Sequence, residues 1–345
     1  MTVEREGGAE AKVELDIVST ARSWLKRDGE VALATVINTW GSAPVPVGGQ
    51  MVVAQDGTFQ GSCSGGCVEG DVIAEAEDIL KSGAPRTLSF GVADETAWRA
   101  GLPCGGQIQV FVERLQGKAG GELLARIAEA RGRREALILK KRLSDGALEL
   151  ISEREAFPAA LETEIRDTFR SGASRTIETA DGKVFLHALV PAPRVIVVGA
   201  THIAQVLVEL IRLAGLEVYV VDPRTAFASE RRFPGIEIIT EWPGEALAAI
   251  GLDRHTAVVT LAHEGRIDDE ALKAGLEAEC FYVGALGSTR NHAKRRVRLA
   301  EAGLSEAQID RIHAPIGLDI GAESPAEIAI SIIAELVAAL RADPA

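Results

Sequence analysis

The sequence predicts an α/β protein in two parts: a C-terminal doubly wound parallel sheet, and an N-terminal α/β (α+β) domain that carries glycine-flanked cysteines. Three observations predict it. From Arg194 onward, short apolar runs alternate with helical patterns, as strand–helix units do. The turn after the first run reads Gly199-Ala200-Thr201-His202-Ile203-Ala204, close to a glycine-rich nucleotide turn. Ahead of it lie two thiols in glycine runs, Gly65-Gly66-Cys67 and Gly101-Leu102-Pro103-Cys104-Gly105-Gly106.

Taken in order, Val13–Lys26 has an apolar stripe at helical spacing. Val31–Ile37 reads as a buried strand, and Asn38–Gly49 as a loop broken by glycine and proline. Gln50–Ala54 and Thr58–Ser62 flank Gln55-Asp56-Gly57, a hairpin signal. A helix is expected over Cys67–Leu80, with strands at Thr87–Phe90 and Ile108–Glu113. The middle stretch offers helices at Gly121–Arg131 and Ala159–Phe169 and strands at Ala136–Lys140 and Ala147–Ile151. Pro191-Ala192-Pro193 reads as a linker. Beyond it, strands are expected at Val195–Val198, Glu217–Val221, Glu237–Ile239, Ala257–Thr260 and Cys280–Val283. A helix follows the first strand at His202–Ala214. The last helix opens on Ser324-Pro325-Ala326-Glu327, a capping box with proline at its first position. The expected domains are 13–115, a middle segment 116–192 of unassigned role, and a Rossmann-like domain 193–345.

At 345 residues and 47% hydrophobic content the chain can build full cores. A net charge of −13 argues against nucleic acid as a partner, though not against a small phosphate held by backbone amides. No uninterrupted apolar run is long enough for a membrane span, and the polar first residues lack the apolar core of a signal peptide. Four cysteines in a chain this long do not make a disulfide framework, so reduced thiols and a cytoplasmic location are expected.

In the nucleotide-type turn, Gly199 supplies the tight bend and Ala204 the small packing residue, but Thr201 stands where the middle glycine lets a pyrophosphate approach. Asp222 follows Gly199 by 23 residues, at the position of a ribose-binding acid that would favour NAD over NADP. His202 opens the following helix. A Rossmann-like fold kept purely as a scaffold is the plain alternative. Further groups fall at the carboxyl ends of later strands: Arg224 beside Asp222, His263, and Gly287-Ser288 at a helix start suited to an anion. His263 is a candidate general base, or a solvated loop residue.

Among the thiols, Cys63 and Cys67 are spaced C-x₃-C, with Cys104 far off and no histidine before His187, so structural zinc is not expected. Cys67, placed at a helix start, could act as a nucleophile, carry a persulfide or ligate a thiophilic metal. The alternative for these cysteines is small apolar packing, favoured for Cys63 and Cys280. Glu69 gains from the helix dipole and is a further candidate base.

In combination these motifs resemble the XdhC/CoxI family of xanthine dehydrogenase accessory factors. The resemblance rests on Gly41-Ser42-Ala43-Pro44, Gly61 to Glu69, Gly101 to Gly106, Asp222-Pro223-Arg224, His263 with Asp268, Tyr282 to Ser288, and Pro315 to Ala322. It implies a chaperone that binds molybdenum cofactor as cargo, protects it, supports its sulfuration by a cysteine desulfurase, and inserts it into an apo hydroxylase of the xanthine dehydrogenase type. On that reading Cys67 and Cys104 make a transient molybdenum contact. Gly65, Gly66, Cys67, Cys104, Gly105, Gly106, Gly199, His202, Asp222, Arg224, His263, Gly287 and Ser288 would hold the cofactor. The family's turn usually reads G-G/A-G-H, so Thr201 departs from it while His202 is kept. A homodimer is the expected assembly. Two other readings remain open: an NAD(P)-dependent oxidoreductase built on the C-terminal domain, and a docking protein that never touches cofactor.

Overall fold

The computed structural model describes residues 16–91, 106–180 and 182–342. The chain divides into two compact units, 1–191 and 192–345, so the break falls in the expected linker. Cys104, Gly105 and Gly101–Pro103 lie outside the described residues.

In the first unit, α1 (Ile17–Asp28) is capped by Asp16, whose carboxylate accepts from the amides of Val18 and Ser19. An antiparallel sheet follows, built from β1 (Glu30–Trp40), β2 (Gln50–Val53), β3 (Phe59–Gly61), β4 (Arg86–Phe90) and β5 (Gln107–Gln116) in the order β3-β2-β1-β5-β4. Side chains alternate faces along a strand. Ala32, Ala34 and Val36 pack with Val72, Ala76 and Ile79 of α2 (Glu69–Ser82). Val31 and Leu33 pack with α1 and with Leu124 and Ile127 of α3 (Gly117–Gly132). Both faces are covered, which is why β1 reads as a continuous apolar run.

The stretch after residue 116 packs within this same unit. It forms a second antiparallel sheet, β7-β6-β9-β8, from β6 (Leu137–Arg142), β7 (Leu148–Ser152), β8 (Arg175–Thr179) and β9 (Gly182–Leu189), backed by α4 (Glu162–Ser171). Leu139 joins the core beneath α1 and α3, buried Lys141 pairs with Glu113 of β5, and the Thr176 hydroxyl donates to the Ile37 carbonyl at 2.9 Å. β8 and β9 have no counterpart among the strands expected from sequence.

The second unit is a six-stranded parallel sheet among the described residues, ordered β12-β11-β10-β13-β14-β15. Its strands are β10 (Arg194–Val198), β11 (Glu217–Val221), β12 (Glu237–Ile239), β13 (Thr256–Thr260), β14 (Tyr282–Ala285) and β15 (Ile312–His313). The order runs outward from β10 in one direction and then returns to run outward in the other, the doubly wound Rossmann pattern whose switch point lies between β10 and β13. Val195 and Val197 face α5 (His202–Leu213) and α10 (Pro325–Arg341). Ile196 and Val198 face α6 (Pro243–Ile250) and α7 (Gly265–Glu277), and the same core takes Leu299 of α8 (Thr289–Glu301). The capping box at Ser324 and Glu327 forms. Cys280 lies in the core ahead of β14 rather than within the strand, and burial pushes its thiol up to about 12.

Candidate functional site

The glycine loop before α2 is organised by one carboxylate. Glu69 Oε1 accepts from the Ser62 hydroxyl and from the amides of Cys63 (3.1 Å) and Ser64 (2.9 Å). Its Oε2 accepts from the Ser64 hydroxyl (2.6 Å) and the amides of Gly66 (2.9 Å) and Val68 (3.2 Å). Ser64 Oγ takes the amides of Cys67 and Val68, and Ser62 Oγ that of Gly65. Every amide from Cys63 to Val68 is thus satisfied by a side chain of the loop or of Glu69. Burial alone would raise the Glu69 carboxyl, but these hydrogen bonds outweigh it and hold it at about 2. A carboxylate so engaged is a weak base, and its work here is to hold the loop.

The expected helix start at Cys67 is corrected by this network. α2 begins at Glu69, because the preceding amides turn back onto the carboxylate and the serine instead of pointing along a helix axis. Gly65 and Gly66 both lie at positive φ (77° and 111°), where a side chain is strained. Cys63 points into the core, and burial pushes its thiol up to about 12, so it stays protonated. Cys67 is exposed. A Cβ on Gly65 would lie 3.3 Å from Pro44, and one on Gly106 would strike the Ser42 carbonyl at 2.2 Å. Gly65 and Gly106 thus both pack against the segment Ser42–Pro44.

In the second unit the nucleotide-type turn is likewise closed on itself. Asp222 is fully buried. Its Oδ2 accepts from the Ala200 amide (2.7 Å) and Arg224 Nη2 (2.7 Å), and its Oδ1 from the Arg224 amide and Nε (2.9 Å each). Burial works against its ionised form, yet these bonds lower its pKa overall. Thr201 caps α5 by accepting from the Ala204 amide, and Arg232 reaches in to donate to the Ala200 carbonyl (2.8 Å). His202 is exposed at the helix start. The ribose-binding role expected of Asp222 is not available to this conformation, since its lone pairs are committed to the turn and to Arg224. NAD(P) finds no support here.

Three of the remaining rim residues do gather. His263 follows β13 at φ 58°, and Asn291 Nδ2 sits 3.3 Å from its Nε2. Gly287 leaves room for that imidazole: a Cβ there would lie 3.3 Å from His263 Cε1. Ser288 caps α8 by accepting from the Asn291 amide. Beside this group opens a pocket of about 630 Å³ between α7 and α8, lined by His263, Gly265, Arg266, Asp268, Asp269, Asn291, Lys294, Arg295 and Arg298. Burial pushes the Asp268 carboxyl up to about 6, with nearby Arg295 opposing. Arg232, Asn291, Lys294 and Arg295 were not singled out from sequence, because the last three sit in a polar run that reads as a solvated helix face.

Residues 24–91 match the XdhC and CoxI family, and residues 195–336 match the XdhC Rossmann domain family. A protein of Escherichia coli, the molybdenum cofactor insertion chaperone PaoD, is 30% identical over 305 residues, covering 88% of this chain and 81% of that protein. The chain belongs to the XdhC/CoxI family. A Bacillus subtilis protein named as a probable xanthine dehydrogenase subunit is 28% identical, over 91% of this chain and 94% of its own length. In three dimensions this XdhC/CoxI chain resembles a crystal structure described as a xanthine dehydrogenase from Bacillus halodurans, with a TM-score of 0.67 and 27% identity over 95% of this chain and 96% of that one. No helix among the described residues is long and apolar enough to cross a membrane.

Proposed function

We propose that the chain is a carrier for molybdenum cofactor. It binds and protects the cofactor, supports its sulfuration, and inserts it into an apo hydroxylase of the xanthine dehydrogenase type in the cytoplasm. The observation that carries this reading is the Cys67 thiol, exposed on a loop with no amide from Cys63 to Val68 left to bind anything. What that loop offers a ligand is sulfur. Molybdenum held by a dithiolene with a terminal sulfido group is soft, and a thiolate suits it as a contact that must later be released. Relatives named as a cofactor insertion chaperone and as part of a xanthine dehydrogenase support the choice of cargo and client. Cys104 is proposed as the second thiol, a cysteine desulfurase as the sulfur donor, and a homodimer as the assembly.

The test is pterin content. The protein, purified from a host that makes the cofactor, is oxidised, and the fluorescent pterin released is assayed with molybdenum. Near-stoichiometric pterin, lost in Cys67→Ser together with activation of the client, is the expected result. Cys67 is exposed, so the substitution shifts stability by no more than about 0.5 kcal/mol and a loss of cargo is not a folding defect. Full pterin loading in Cys67→Ser overturns the thiol contact, and an empty wild-type protein that also refuses cofactor added anaerobically overturns the carrier reading.

A further inference from the structure

In the first glycine turn the loop's own side chains occupy the backbone donors that a phosphate would use, and in the second they take the amides of Ala200 and Ala204. The donors left over lie elsewhere, in the pocket between α7 and α8. Arg295 is 4% exposed and donates through Nη2 to the Leu286 carbonyl at 2.9 Å, while its Nε and Nη1 meet no acceptor among the described residues. Asp268, 1% exposed on the same pocket, has an Oδ1 that meets no donor among them. The two side chains attract each other, yet no ion pair or hydrogen bond joins them.

The charges of the pocket are unbalanced. Arg298 is spent on Asp269 in a two-bond pair. Arg266, Lys294 and Arg295 line the same wall without a carboxylate at ion-pair distance among the described residues, against the one carboxyl of Asp268. A net positive cluster in a chain of net charge −13 is placed for an anion. The unpartnered Nε–H and Nη1–H groups of Arg295 lie on different edges of its guanidinium, so each can donate singly to an oxyanion oxygen while the fixed charge attracts the group. The volume, about 630 Å³, is that of a small-molecule site. Asp268 suits the same ligand in its protonated form, where it becomes a donor instead of a repelling charge.

We propose that this pocket is an oxyanion site that takes the phosphate group of a phosphorylated ligand, with Arg295 as the buried donor and Lys294 as the entrance charge. The natural ligand, on the carrier reading above on which this identification rests, is the phosphate end of the pterin cargo.

The test titrates the full chain with inorganic phosphate and with pyrophosphate at constant ionic strength, chloride serving as the control, by calorimetry. Saturable binding is expected in the wild type. Arg295→Gln weakens it roughly tenfold or more, and the exposed Lys294→Ala, which leaves the fold intact, about threefold. Asp268→Asn, a neutral isostere, holds or strengthens it. No saturable binding, or binding indifferent to both Arg295→Gln and Lys294→Ala, means an adventitious ion only and overturns the proposal. Pterin content separates this from the carrier reading. Phosphate binding that depends on Arg295 in a protein that never loads pterin supports the site and removes the cargo. Full pterin loading in Arg295→Gln and Lys294→Ala removes the site from the cargo's path and leaves the carrier reading standing.

Discussion

The loop before α2 and the turn before α5 are built to one plan and serve different ends. Each bends at glycines with positive φ, each leads into a helix, and each has an acid that reaches back to take the turn's own amides: Glu69 in the first, Asp222 in the second. In an open nucleotide turn those amides are left for a phosphate. Here Glu69 takes four amides of the first turn, and Asp222 takes the Ala200 amide of the second. The difference lies in what remains on the outside. The first turn presents a thiol, and the second presents an arginine that is itself paired to the acid beneath it. A glycine-rich turn is therefore not by itself a ligand site, and its free donors have to be counted before it is given a ligand.

Removing the glycine that shapes the second turn separates the two most sharply. Gly199 has φ 107°, and a Cβ there would lie 2.4 Å from the Ala262 amide nitrogen, a backbone atom that cannot step aside. Gly199→Ala combines backbone strain with that collision, and a loss of about 3 kcal/mol or more is expected as a lowered urea midpoint. Gly66→Ala in the first turn meets no atom within 4 Å, so only its φ of 111° counts against it and the loss is smaller. Equal losses would show that the two turns are not distinguished by their packing.

Next in size is the acid of the first turn. Glu69→Gln leaves buried donors without an acceptor, and a loss of about 2–3 kcal/mol is expected at neutral pH. The Glu69 carboxyl is held at about 2, below its ordinary 4.5. Its contribution is thus complete above the ordinary value and disappears as pH falls toward about 2. Urea midpoints of wild type and Glu69→Gln should lie well apart at about pH 7 and converge in acid. A gap that stays constant down to about pH 3 would mean that the charge of Glu69 is not what holds the loop.

The same contrast explains what was legible in the sequence. The second unit was read almost strand for strand, because parallel strands buried on both faces leave uninterrupted apolar runs such as Val195–Val198. Glu237–Ile239 was readable from the same alternation although it is a short strand. In the first unit the hairpin at Gln55-Asp56-Gly57 announced itself through turn chemistry, but β8 and β9 did not. They pair with each other as a hairpin, but β9 joins the sheet only through β6, more than forty residues earlier in the chain, and that sheet buries Lys141 against Glu113, a pairing that no local pattern encodes. The positions of Cys67, Glu69, Asp222 and His263 were legible from motif spacing. The direction of each side chain was not: whether Asp222 faces a ribose or the Ala200 amide is decided by contacts 22 residues apart. Arg295 was hidden for a simpler reason, since in Arg290–Arg298 a buried guanidinium looks like its solvated neighbours.

The smallest expected effect is the most informative about the second turn. Thr201 stands in place of the middle glycine, and the plain inference from sequence is that its side chain blocks a pyrophosphate. If that were the whole obstacle, Thr201→Gly would restore nicotinamide dinucleotide binding. Replacing a capping threonine by glycine costs only a few tenths of a kcal/mol, so the variant can be compared directly with the wild type. A ligand at ~100 times its dissociation constant would stabilise by roughly 2.7 kcal/mol, well within reach of a thermal melt. No shift is expected with millimolar NAD in either protein, because Asp222 remains bound to Ala200 and Arg224 whatever occupies position 201. A shift in Thr201→Gly alone would place the block at the threonine and show that Asp222 can leave Arg224 for a ribose. A shift in both would return the turn to the dinucleotide-binding class and separate it from the closed loop at Cys67.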